Sequence, residues 1–126
     1  MNDKERAICK QIKNIRDLSE QARLDRIAFA EAENQLKHDK AFASMEIALG
    51  IAKTDKGQMM PSNNDIARKA YIEWKTVAAE KVRNIAKENR DSSAEKLDIE
   101  KSVLSALKEL LKDENFDINV LGEYEI

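Results

Sequence analysis

The sequence predicts an all-α protein built as a long antiparallel helical hairpin with a coiled-coil-like seam. Pro occurs once and Gly three times in 126 residues, so the chain has few of the residues that punctuate a β-protein. Apolar residues make up 42% of the chain and charged residues 37%. Because the apolar residues fall at helical intervals, long helices are favoured over disorder.

The first helix is predicted over about residues 3–52. Asn2 and Glu5 have the spacing of a capping box, which marks a helix start. Apolar residues then recur every seven positions, at Ile8, Ile15, Ala22, Phe29, Leu36 and Ala43, with Ile12, Leu18, Ile47 and Leu49 widening the seam at its ends. The positions expected to complete the seam are polar: Ser19, Arg26, Glu33 and Lys40. Such residues are poor in a coiled coil, so an uninterrupted zipper is not favoured, and a kink or break near Ser19 is consistent with the pattern.

A loop is predicted over residues 53–62, after a helix end near Gly50, because this stretch holds the only Pro and a second Gly. Ser62 and Asp65 form a second capping-box spacing, which starts the second helix at about residue 63. Asp65 and Lys69 are expected to add a favourable i,i+4 pair.

The second helix is predicted to continue to about residue 111. Its early apolar face comprises Ala67, Ala70, Tyr71, Trp74, Val77, Ala78, Val82 and Ile85. The stretch 89–93 is polar, and Ser92 with Glu95 could cap a new helix there. The seam at positions 78, 82, 85, 89, 92, 96, 99, 103, 106 and 110 nevertheless keeps one phase, which favours one helix over two.

A hairpin of two helices has little interior of its own, so self-association into a bundle is expected. The alternative is that the N-terminal segment folds back to form a three- or four-helix bundle. Residues 1–112 are therefore treated as the hairpin and 113–126 as an acidic C-terminal tail. The tail alternates Phe116, Ile118 and Val120 with polar residues, so it either docks or binds another molecule.

Catalytic chemistry has little support, and the sequence predicts neither an enzyme nor a cofactor. Cys9 and His38 are the only residues of their types, and no zinc, phosphate-loop or dinucleotide motif is present. A lone cysteine forms no internal disulfide, and no apolar run is long enough to span a membrane. These features predict a cytoplasmic protein without membrane contact.

The charge is unevenly distributed although the net value is only −2. Residues 1–90 carry 18 basic and 14 acidic side chains, whereas residues 91–126 carry 4 and 10. Two basic groups are therefore candidate contacts for a partner or for nucleic acid. The first combines basic and aromatic residues on which single-stranded nucleic acid could stack: Arg68, Lys69, Tyr71, Trp74 and Lys75. The second is basic alone: Lys10, Lys13 and Arg16. Core packing of Tyr71 and Trp74 and a solvated N-terminal face are the alternatives.

The tail offers a third candidate contact through Phe116, Ile118, Tyr124 and Ile126. Its acidic composition and apolar end are similar to the tails of bacterial single-stranded-DNA-binding proteins. That similarity implies recruitment of repair or replication enzymes.

Three segments carry a second resemblance: residues 30–42 (AEAENQLKHDKAF), 67–83 (ARKAYIEWKTVAAEKVR) and 102–108 (SVLSALK). Over about residues 30–111 the chain resembles small tailed-phage (siphovirus or prophage) helical-hairpin proteins. The resemblance implies a phage or prophage origin near recombination or replication functions, and it implies no catalytic residues.

The expected function is that of a non-enzymatic interaction protein that forms a homo-oligomer and binds a partner protein. If the origin is a phage, the partner is a replication or recombination enzyme, or a host factor that the protein inhibits. The alternative is a nucleic-acid-binding accessory of phage DNA recombination or replication.

Overall fold

The computed structural model describes residues 2–53, 57–59, 64–113, 115 and 117. Two long helices, α1 (Asp3–Ala48) and α2 (Asp65–Leu110), pack against each other as a hairpin. The all-α hairpin predicted from the sequence is therefore confirmed, although each helix is a few residues shorter than predicted. No strand is present among the described residues.

The predicted capping box at the start of α1 is confirmed. The Asn2 side-chain oxygen accepts a hydrogen bond from the Glu5 N–H at 2.8 Å. The Glu5 carboxylate accepts one from the Asn2 N–H at 3.2 Å. These two bonds satisfy backbone donors that have no partner within the helix.

Helix α1 ends at Ala48 because Gly50 has a left-handed backbone, with φ of 70°. The Gly50 N–H donates to the Ile47 carbonyl at 3.1 Å, and the Ile51 N–H donates to the Glu46 carbonyl at 3.0 Å. This bond pair is the Schellman motif, in which glycine avoids the cost that a Cβ imposes at positive φ. The predicted end near Gly50 is confirmed, but the helix does not extend to residue 52.

Helix α2 is capped by Asn64, whose side-chain oxygen accepts bonds from the Ile66 N–H at 3.0 Å and the Ala67 N–H at 3.1 Å. The predicted cap, Ser62, lies outside the described residues. The predicted pairing of Asp65 is wrong in detail, since its carboxylate pairs with Arg68 one turn away.

Both helices are unbroken where the sequence left a break open. Helix α1 passes through Ser19, so the break considered there is not formed. Helix α2 passes through the polar stretch at Ser92, as the constant phase of its seam predicted. The new helix start considered at Ser92 is not formed.

The hairpin divides into two compact units, each containing part of both helices. The terminal unit comprises residues 1–26 and 89–126, and the loop unit comprises residues 27–88.

The interface between the helices of the terminal unit combines buried apolar residues, Ala22 and Leu107, with hydrogen-bonded polar side chains. The buried Gln11 side-chain amide donates to the Glu100 carbonyl at 3.0 Å and to the Glu100 carboxylate at 2.7 Å. The buried Ser93 hydroxyl donates to the Asp25 carboxylate. Because buried polar groups cost free energy unless they are hydrogen-bonded, these contacts fix how α1 and α2 align here.

The loop unit has a small apolar core. Ala43, Ile47, Ala52 and Tyr71 are buried together, and Ile72 packs against them. The buried Thr76 hydroxyl donates to the Ile72 carbonyl at 2.7 Å, which satisfies it within its own helix. This core joins the end of α1 to the start of α2.

The seam predicted for α1 is correct at the seven-residue repeat and correct in part at the other predicted positions. All six repeat residues from Ile8 to Ala43 are buried or half-buried. The other predicted seam residues divide evenly: Leu18, Ser19, Glu33 and Ile47 are buried or half-buried, and Ile12, Arg26, Lys40 and Leu49 are exposed. The seam also includes five residues that were not predicted, all buried or half-buried: Gln11, Asp25, Ala32, Asp39 and Glu46.

The seam predicted for α2 is wrong by one residue. Every position of the predicted series from Ala78 to Leu110 is exposed. The side chains that are buried or half-buried follow one position later: Ala79, Arg83, Ala86, Arg90, Ser93, Leu97, Glu100, Leu104, Leu107 and Leu111. One residue rotates a helix face by about 100°, so the predicted seam faces solvent.

Candidate functional site

The basic and aromatic group on the first turns of α2 is split by the fold into core and surface. Tyr71 is only 4% exposed and belongs to the apolar core of the loop unit. Trp74 is 48% exposed. The core alternative considered for Tyr71 is therefore correct, and Trp74 is the aromatic side chain of this group that a partner can reach.

The rings of Trp74 and Tyr71 meet edge-on, with centroids 5.9 Å apart and planes inclined by 61°. The Lys75 ammonium lies 5.1 Å from the Trp74 centroid and 5.7 Å from the Tyr71 centroid. Edge contacts and cation–π contacts both favour this arrangement. They hold the Trp74 indole at the surface beside a positive charge.

An open groove of about 460 Å³ lies in the loop unit between the end of α1 and the start of α2. Ile47, Ala48 and Ile72 supply its apolar part. Arg68 and Lys69 line its polar part together with Ser44 and Asp65. Since Arg68 is neutralised by Asp65, the exposed Lys69 is the basic side chain of the groove left to meet an anionic partner group.

The pKa of the Tyr71 phenol reflects its position against α1. Burial raises the pKa of the Tyr71 phenol, and a hydrogen bond to the Glu46 carboxylate and the charge of that carboxylate raise it further. A phenol held protonated by burial and a carboxylate acceptor is a structural group, because the neutral O–H is the form that donates. Tyr71 thus positions Trp74 and Lys75 without itself facing solvent.

The N-terminal basic residues Lys10, Lys13 and Arg16 are all exposed on α1 of the terminal unit. They flank the buried Gln11 on the solvent side of the helix. This placement agrees with the solvated face considered for them, and it leaves their side chains accessible. The proposed tail contacts Phe116, Ile118, Tyr124 and Ile126 lie outside the described residues.

An exposed surface that the sequence analysis predicted to be buried runs along α2 of the terminal unit. We call the exposed residues at the misassigned seam positions the outer face of α2: Asn89, Ser92, Lys96, Ile99, Val103, Ala106 and Leu110. Ile99 is 54% exposed, Val103 38% and Leu110 44%. These residues have the spacing of a coiled-coil seam, so their heptad pattern identifies the face in the sequence. The pattern predicted that this face packs against α1, whereas in the structure it faces solvent.

The described residues contain no group of three or more histidine, cysteine, aspartate or glutamate side chains placed to hold a metal ion. Cys9 and His38 are both exposed. Neither α1 nor α2, over the part of the chain that the structure describes, has an apolar stretch suited to crossing a bilayer.

Comparison with known proteins finds no match to a family, a curated protein or a solved structure.

Proposed function

We propose that this chain is a non-enzymatic helical interaction protein that self-associates and binds a partner protein. The observation that carries the proposal is the outer face of α2, where large apolar side chains are exposed at heptad spacing. In the same unit, the interface between the two helices includes hydrogen bonds of Gln11 and Ser93 on another side of α2. Exposed apolar surface of this kind marks a protein interface.

We place the partner contact at the tip surface, defined as Trp74 and Lys75 of the loop unit. A half-exposed tryptophan is the side chain that most often anchors a protein interface. Lys75 beside it favours a partner with an acidic rim around an apolar pocket. In keeping with the resemblance to phage hairpin proteins, the partner is a replication or recombination enzyme, or a host factor that this protein inhibits.

Light scattering coupled to size exclusion tests self-association. We expect a discrete oligomer of the 14.4 kDa chain whose mass does not change when a short single-stranded oligonucleotide is added. A monomer at every concentration would overturn the self-association.

Deleting residues 113–126 tests the tail. If the tail contributes to the partner contact, we expect the shortened chain to lose the partner and to keep the oligomer.

Binding of single-stranded nucleic acid is the second candidate, and it is favoured by the same tip surface. The Trp74 ring offers a face for a base, and Lys75 beside it offers positive charge for phosphates. This candidate predicts a mass increase with the oligonucleotide that decreases steeply with salt. It also predicts loss of that increase in Trp74→Ala. The matched control is Phe42→Ala, which removes another exposed aromatic side chain of the loop unit.

A further inference from the structure

The heptad letters of the outer face identify the kind of helix that would pack on it. Asn89, Lys96, Val103 and Leu110 occupy a positions, and Ser92, Ile99 and Ala106 occupy d positions. A shallow groove of about 430 Å³ follows this face along the side chains of Ile99, Val103 and Ala106. Such a face packs against a second helix with the same seven-residue spacing.

We propose that the occupant of this face is the α2 helix of a second copy of the chain, lying parallel and in register. This proposal rests on the self-association proposed above and names its surface and geometry. In a two-fold pair the same face is used by both copies, so each residue must be compatible with its own counterpart.

The polar positions of the face fit a parallel pair. In that geometry each a residue meets its counterpart, so Asn89 lies opposite the second Asn89 and pairs amide with amide. A single Asn at an a position favours one register at a cost in stability. Val103 and Leu110 then meet their own counterparts, which buries apolar groups against apolar groups.

The charge of Lys96 needs a partner in this geometry, because at an a position Lys96 also meets its own like-charged counterpart. In a parallel pair an a residue lies beside the g residue that precedes its counterpart, so Lys96 of one copy lies beside Glu95 of the other. Two-fold symmetry repeats this contact, which gives two ion pairs between opposite charges. Lys96 and Glu95 are both exposed within the single chain, so they are accessible for this role.

The hydrogen bonds inside the terminal unit leave this face available. Glu100 and Ser93 are directed at α1, where they bond to Gln11 and Asp25. They lie on the side of α2 adjacent to the outer face, so α1 and a second α2 can pack on α2 without competing for the same side chains. The outcome is two hairpins joined through their α2 helices.

Disulfide trapping tests the orientation. In a Cys9→Ser background, Val103→Cys places a thiol at an a position, where a parallel in-register pair brings the two Cα atoms within the separation of roughly 4.4–6.8 Å that a disulfide needs. We expect rapid oxidation to a covalent dimer on a non-reducing gel. Lys101→Cys, exposed on the opposite side of α2, is the control and should remain a monomer on that gel. Equal crosslinking of the two variants would overturn the proposal, as would no crosslinking of either.

Val103→Glu tests the face without a crosslink. Placing two carboxylates opposite each other, and removing two buried valines, should raise the dimer dissociation constant by roughly 100-fold or more. Ser105→Glu adds the same side chain at an exposed position two residues away and should leave the dimer intact. Circular dichroism of both variants checks that the hairpin remains folded.

The outcomes separate this inference from the proposed function. A wild-type oligomer that keeps its mass in Val103→Glu, with no trapping at residue 103, would leave self-association standing and refute the α2 face. An oligomer in which residue 103 does not meet its counterpart, as in an antiparallel pair, would also refute it. A monomeric wild-type chain would overturn both.

Discussion

Replacing Trp74 and Tyr71 by alanine, one at a time, distinguishes a surface contact from a core residue. A buried aromatic side chain removes about 150–250 Å² from water. Trp74 is 48% exposed, so it buries about half of that area. At about 25 cal/mol per Å² the loss in Trp74→Ala is about 2–3 kcal/mol, an upper bound because the unfolded chain already covers part of its surface.

Tyr71 is 4% exposed, and its removal leaves a hole among Ala43, Ile47 and Ala52. Truncating a buried aromatic side chain costs about 3–5 kcal/mol. The loss in Tyr71→Ala also includes the hydrogen bond to Glu46. We therefore expect Tyr71→Ala to cost about 2 kcal/mol more than Trp74→Ala.

Urea unfolding followed by far-ultraviolet circular dichroism measures both losses. The protein concentration must be the same throughout, because association contributes to apparent stability. Phe42→Ala is the control for an exposed aromatic residue and should resemble Trp74→Ala. Equal losses in the Tyr71 and Trp74 variants, or a larger loss in Trp74→Ala, would refute the assignment of Trp74 to the surface. In that case Trp74→Ala could not be used to test binding.

Three further changes test the fold. Gln11→Ala removes both bonds to Glu100 and leaves a half-buried carboxylate without that donor, so urea unfolding should show a loss of about 2–3 kcal/mol; a loss below about 1 kcal/mol would show that the contact is not formed in solution. Gly50→Ala should cost about 1–2 kcal/mol from the left-handed backbone, since nothing lies within 4 Å of the added Cβ, and an unchanged denaturation midpoint would contradict that conformation. Because the pKa of Tyr71 is raised in the folded protein, the unfolded chain loses the phenol proton at a lower pH than the folded chain. The contribution of this phenol to the free energy of unfolding is therefore complete below the ordinary tyrosine pKa of about 10 and is lost as pH rises through the raised value. Tyr71→Phe should remove this part of the alkaline loss in melting experiments run against wild type, and identical pH profiles would contradict it.

The helices and their ends could be predicted from local sequence because their causes are local. The capping box needs only Asn2 and Glu5, three residues apart, and both bonds are formed. The stop at Gly50 depends on a residue that tolerates positive φ. The unbroken α2 follows from the constant phase of its apolar residues across Ser92. In each case the interacting groups lie within a few residues of one another.

The candidate site could be predicted only in part. The group from Arg68 to Lys75 was found by composition, but its division into a buried Tyr71 and a half-exposed Trp74 depends on which side chains α1 covers. Both residues lie on the apolar side of α2, so periodicity gives them equal weight. The ion pair of Arg68 with Asp65, rather than of Asp65 with Lys69, is likewise a choice between neighbours at i,i+3 and i,i+4.

The sequence by itself determined that this protein is two long helices forming a hairpin, because heptad spacing, helix caps and helix breakers each depend on residues that are close together in the chain. The tertiary structure decided which face of α2 meets α1. Two stripes one residue apart are both rich in apolar side chains, and a single partner helix cannot cover both. The stripe that carries Ser93 and Glu100 faces α1, because Asp25 and Gln11 lie there to bond them. The stripe that carries Ile99 and Val103 therefore faces outward.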